Sequence, residues 1–91
     1  MNTIIDRFLL ILQEEQRLMP WLELQTGIPR KRWTNIKQRG VMRTEELEAI
    51  YKLYPEYEVW LATGKEYPQQ GQISPMTKRA HASLKTGPQA G

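Results

Sequence analysis

Arg30, Lys31, Thr34, Asn35 and Gln38 stand within nine residues of one another, in a stretch that contains no acid. If this stretch is helical, its spacing turns these five side chains away from Trp33 and Ile36. They carry the guanidinium, ammonium, hydroxyl and amide donors that base edges in the major groove of a DNA duplex require. Arg32, Lys37, Arg39 and Arg43 add the cations that meet phosphates. Charge alone suffices to hold a polyanion, whereas amides and hydroxyls among the cations suit the reading of bases. The candidate base contacts are therefore Arg30, Lys31, Thr34, Asn35 and Gln38, and the candidate phosphate contacts Arg32, Lys37, Arg39 and Arg43. Trp33 and Ile36 read as the residues that hold this helix on a core.

Other chemistry finds little support. His81 is the only histidine, and no partner ligands stand at metal-site spacing around it. Glu14-Glu15 and Glu45-Glu46 are adjacent pairs, and neighbours on a helix diverge rather than share a proton. There is no phosphate-cradling glycine loop and no Ser-His-Asp set. The chain has no cysteine, hence no disulfide framework and no thiolate metal site. We expect no catalytic residues, no metal and no cofactor.

The charge pattern points the same way. The net charge of +3 hides a segregation. Residues 1–64 are neutral together, but all six ionisable residues between 30 and 43 are basic, and residues 44–58 carry Glu45, Glu46, Glu48, Glu56 and Glu58 against Lys52. One basic block on a neutral domain is the footprint of a polyanion partner. The longest apolar run, Phe8 to Leu12, is far too short to span a bilayer, and the start of the chain lacks a signal-peptide pattern. These features predict a cytoplasmic protein without a membrane partner.

The elements that must position the basic stretch all read as helices. Thr3 caps a first helix that carries Ile4, Ile5, Phe8, Leu9, Ile11 and Leu12 and ends near Gln16. Pro20 suits the first turn of a short second helix over about 19–26, stopped by Gly27. A third runs over about 29–39, from Pro29 to a stop at Gly40. Thr44 caps a fourth, with Glu45 and Glu46 at the favourable end of its dipole and Leu47, Ile50, Tyr51 and Tyr54 on its apolar face. Pro55 opens a fifth, bearing Val59, Trp60 and Leu61 and closed by Thr63-Gly64. No stretch alternates with period two. The fold class is all-α.

At this point "TGIPRKRWTNIKQRG", followed by "TEELEAIYKLYPEYEVWLATG", resembles the lambda-repressor-like (Cro/XRE) helix-turn-helix family. The parts that carry the resemblance are Leu22, the Gly27-Ile28 turn, Gly40, the helix from Thr44 to Tyr54, and Trp60-Leu61-Ala62-Thr63-Gly64, covering roughly residues 4–64. The resemblance implies a five-helix domain, binding of a double-stranded operator as a homodimer, and transcriptional repression of phage or prophage type, with an antirepressor protein as a further candidate partner. The chain departs from the family pattern at Met19, Glu23, Pro29 and Trp33. Glu23 replaces a small residue at the helix crossing, which predicts a wider crossing filled by Trp33.

Beyond Gly64 the composition changes. We divide the chain into a domain over 1–64 and a linker with a basic tail over 65–91. Ser74-Pro75 is a helix-start signal, so the tail reads either as a sixth helix carrying Met76, Ala80 and Leu84, closed by Gly87-Pro88, or as a basic arm. Tyr54 and Tyr57, with Met76, Ala80 and Leu84, are candidates for the contact between two copies; the aromatic stripe of Tyr51, Tyr54, Tyr57 and Trp60 reads first as core and second as such a contact. The alternative to a DNA-binding repressor is a protein-interaction module, antitoxin-like or inhibitory, that binds an acidic partner through the same cationic helix.

Overall fold

The computed structural model describes residues 3–86, with side chains as far as Ser83; Gly87-Pro88 lie outside it. Among the described residues six α-helices follow one another: α1 (Ile4–Glu15), α2 (Met19–Thr26), α3 (Arg30–Arg39), α4 (Thr44–Leu53), α5 (Glu58–Thr63) and α6 (Pro75–Thr86). Short 3-10 turns at Pro55–Tyr57 and Pro68–Gln70 complete the order, and no strand occurs among the described residues.

Local chemistry accounts for most of the boundaries. The Thr3 hydroxyl accepts from the Asp6 amide at 3.1 Å and caps α1. α2 begins with Pro20 in its first turn and ends at Gly27, whose φ of 75° lies in the left-handed region that a side chain disfavours. The Thr26 hydroxyl then donates to the Leu22 carbonyl (2.6 Å) and accepts from the Ile28 amide (3.1 Å), which fastens the turn into α3. α4 is capped one residue earlier than the sequence indicates: Arg43 is the N-cap, and its amide donates to the Glu46 carboxylate at 2.8 Å. The predicted fifth helix divides. Tyr57 bonds back three residues to Tyr54, so Pro55–Tyr57 is a 3-10 turn, and regular α5 starts only at Glu58.

The core sits where α1, α3, α4 and α5 converge. Phe8, Ile11, Leu22, Trp33, Ile36, Ile50, Tyr57 and Leu61 are all essentially inaccessible. Within α1, Phe8, Ile11 and Leu12 share the buried face, the spacing an amphipathic helix requires. Tyr54 and Tyr57 belong to this core, their rings 5.5 Å apart at the centroids, so the sequence-based assignment of both to a contact between copies is corrected. Both rings bury large apolar area there, which favours the core over an exposed contact face.

One buried cation closes the domain. Arg7 is only 8% exposed, and its Nε donates to the Leu61 carbonyl at 2.9 Å, with Nη2 near the Ala62 carbonyl at 3.4 Å. The orphan carbonyls at the C-terminus of α5 thus meet a positive charge, which their dipole favours. Gly64 ends α5 at a φ of 80° directly over this guanidinium.

Residues beyond Gly64 fold back rather than trail away. The Gln72 side chain donates to the Pro55 carbonyl and accepts from the Val59 amide, both at 2.9 Å. The Ile73 amide donates to the Glu56 carbonyl. Ser74 caps α6 through its hydroxyl, which accepts from the Thr77 amide. α6 then lies against α1: Lys78 Nζ pairs with Glu15 (3.2 Å) and Glu56 (3.0 Å), and Arg79 with Glu14 (3.3 Å). Glu15 also accepts from the buried Tyr57 hydroxyl. Residues 72–79 therefore share contacts with residues 1–64 instead of forming a detached linker and tail. Met76 and Ala80 are exposed on α6, while Leu84 falls outside the residues whose side chains are described.

Candidate nucleic-acid interface

α3 owes its placement to two buried residues. Trp33 and Ile36 are 0% and 1% exposed, and the Trp33 indole stacks on Phe8 of α1 at 5.8 Å between centroids. Burying both contributes several kcal/mol, on the order of 1.5–3 per large apolar side chain. With that face fixed, the 3.6-residue period decides the opposite one. Lys31, Thr34, Asn35 and Gln38 follow the i, i+3, i+4, i+7 spacing and form one stripe pointing away from the core. Lys31, Thr34 and Gln38 are exposed and Asn35 half-buried. The Thr34 hydroxyl donates to the Arg30 carbonyl one turn back, which leaves its oxygen as an acceptor toward solvent.

Arg30 and Arg32 flank the stripe at its N-terminal end, and acids hold both. Arg30 contacts Glu23 of α2 through Nε (3.0 Å) and Nη2 (2.8 Å). Its backbone amide also donates to Glu23, at 2.9 Å. Pro29 at the N-cap offers no side-chain acceptor, so Glu23 supplies the missing cap of α3 from the neighbouring helix. These bonds hold the Glu23 carboxyl below the usual 4.5, the Arg30 amide first and its guanidinium second. Glu23 therefore reaches across to the start of α3, and Trp33 packs on Phe8 of α1.

Arg32 departs from its sequence-based assignment as a phosphate contact. Its guanidinium meets Glu45 at 2.6 Å and Glu46 at 3.1 Å, with only 26% of the side chain exposed. The Glu45 hydrogen bond is the main cause that raises its pKa above the usual arginine value. Glu46 is 2% exposed, and its two oxygens serve Arg32 Nε and the Arg43 amide. A buried carboxylate demands such partners. Arg32 thus clamps α3 to α4.

Lys37, Arg39 and Arg43 are exposed, and among the described residues no carboxylate lies within ion-pair distance of them or of Lys31. Asn35, Arg39, Val41 and Arg43 line a cleft of about 200 Å³ beside the Arg32–Glu46 pair. Val41 is 65% exposed at its rim. The arrangement is a polar stripe along α3, with Lys37 on one side and Arg39 and Arg43 on the other.

The chain matches no protein-family profile, no curated protein and no solved structure. Among the described residues no helix is long and apolar enough to cross a membrane, and no group of three His, Cys, Asp or Glu side chains is placed to hold a metal ion.

Sequence reasoning missed the work of Glu23, Arg7 and Gln72. A signal existed for Glu23: a carboxylate seven residues before an arginine, with a tight turn between, is within reach of the next helix start. Nothing in the sequence links Arg7 to Leu61 or Gln72 to Val59.

Proposed function

We propose that this chain is a sequence-specific double-stranded DNA-binding protein that lays α3 in the major groove and represses transcription by occupying its site as a homodimer. One observation carries the reading. The outward face of α3 presents Lys31, Thr34, Asn35 and Gln38 in a single stripe, and the unpaired cations Lys37, Arg39 and Arg43 flank it. Asn and Gln match the donor–acceptor pair of adenine, Lys the acceptors of guanine, and Thr either an edge group or a thymine methyl. The flanking cations suit phosphates on both sides of the groove. α2 joins α3 through the tight turn at residues 27–29, and in this reading it would cross the backbone as the first helix of a helix-turn-helix pair does. One such helix covers few base pairs, which favours a two-fold site with half-site centres roughly 34–36 Å apart or a multiple of that.

The test is selection of bound duplexes from a random library, followed by footprinting of the winners. A two-fold site protected at two half-sites supports the reading. Equal retention of all sequences, or a single asymmetric site bound by one chain, contradicts it.

A further inference from the structure

The Glu23 carboxylate occupies one side of the Arg30 guanidinium and no more. One oxygen, Oε1, accepts from both Nε and Nη2, while Oε2 accepts from the Arg30 backbone amide. The end of the fork, one N–H of Nη2 and both of Nη1, stays uncommitted among the described residues, and 58% of the side chain is exposed. Arg30 opens α3, immediately before Lys31 of the outward stripe. An arginine alone in solvent loses much rotamer freedom when it binds. Here two side-chain hydrogen bonds to one carboxylate, itself on the neighbouring helix across the Gly27 turn and fixed by the Arg30 amide, already restrict it.

We propose that Glu23 is a positioning residue that holds Arg30 to read a guanine in each half-site. This rests on the reading of α3 as the groove-entering helix. The chemistry selects the base: the end of an arginine fork offers two parallel N–H bonds, and guanine alone presents two acceptors, O6 and N7, on one major-groove edge. A phosphate also accepts a fork, but the Glu23–Arg30 pair is neutral as a unit and attracts the DNA backbone weakly. Lys37, Arg39 and Arg43, which no acid offsets, fit that task better.

The experiment uses the full chain and the duplex selected from a random library. Affinities are measured for the wild type, Glu23→Gln, Arg30→Lys and the double variant, on that duplex and on copies in which each guanine in turn is replaced by 7-deazaguanine, which lacks the N7 acceptor. Glutamine keeps an acceptor for the Arg30 amide, and melting curves of each variant establish that it is folded. The expected result is one guanine per half-site whose replacement costs the wild type roughly tenfold in affinity and costs each single variant far less, with the double variant no worse than Arg30→Lys. Glu23→Gln that keeps the wild-type guanine preference overturns the positioning role. Arg30→Lys that alters only the salt dependence, leaving every base preference intact, places Arg30 on a phosphate and overturns the proposal. A selected duplex with no guanine sensitive to Arg30 defeats this inference while the groove reading stands; a library that yields no preferred duplex defeats both.

Discussion

The indole of Trp33 and the ring of Phe8 stack with 24° between their planes, and this contact joins α3 to α1. Both residues are fully buried. The direction in which Lys31, Thr34, Asn35 and Gln38 face is therefore set from the far side of α3, by a buried aromatic pair.

Trp33→Ala should cost roughly 3–5 kcal/mol of folding stability, a large share of what a domain this size possesses. Trp33→Phe should cost less than about 2 kcal/mol. The stacking partner remains, and the Trp33 Nε1 has no hydrogen-bond partner among the described residues, so the loss of that N–H removes a buried polar group rather than a bond. Denaturant melts of both variants measure the difference. A Trp33→Ala protein as stable as the wild type would move the residue out of this structural role.

Gln38 and Arg43 should fail in different ways. Gln38→Ala is expected to lower affinity for the preferred duplex by about 1–3 kcal/mol and to relax preference at one base pair. Arg43→Ala should weaken preferred and scrambled duplexes alike and reduce the salt slope by about one unit. Titrations at several salt concentrations separate the two. Equal loss on both duplexes for Gln38→Ala would remove it from base reading.

Truncation before Lys65 should destabilise the domain, because Gln72 and Ile73 hold the chain between Pro55 and Val59. Gln72→Ala alone should cost about 1–2 kcal/mol, since the part-buried Val59 amide loses its acceptor. Calorimetry of the truncated and substituted chains checks this. A truncated chain with an unchanged melting temperature would show that α6 and its approach add nothing to the fold.

Acid should loosen the start of α6. Thr77, and then the Ser74 amide at 2.8 Å, donate to the ionised Glu66 and hold its carboxyl below the usual 4.5. A depressed carboxylate contributes stability that is fully present above 4.5 and is lost as the pH falls through its lower folded value. The protection factor of the Ser74 amide against hydrogen exchange, followed downward from pH 4.5, should fall in the wild type and show no such transition in Glu66→Gln. Identical profiles in the two proteins would refute the assignment.

The sequence by itself determined the first four helices and one face of α3. Caps and stops at Thr3, Gly27, Gly40 and Gly64 act on their immediate neighbours, and the 3.6-residue period turns Trp33 and Ile36 inward and Lys31, Thr34, Asn35 and Gln38 outward whatever surrounds them. Only the tertiary structure decided which cations remain available. Arg32 and Arg39 carry the same side chain on the same flank of one helix. Yet Glu45 and Glu46, brought up by α4, engage the first and leave the second. The same holds for Glu23 on Arg30, for the inward turn of Tyr54 and Tyr57, and for Lys78 between Glu15 and Glu56. A helical period fixes where a side chain points. Its partner is fixed by the packing of a second element, and that depends on residues far along the chain that no local pattern encodes.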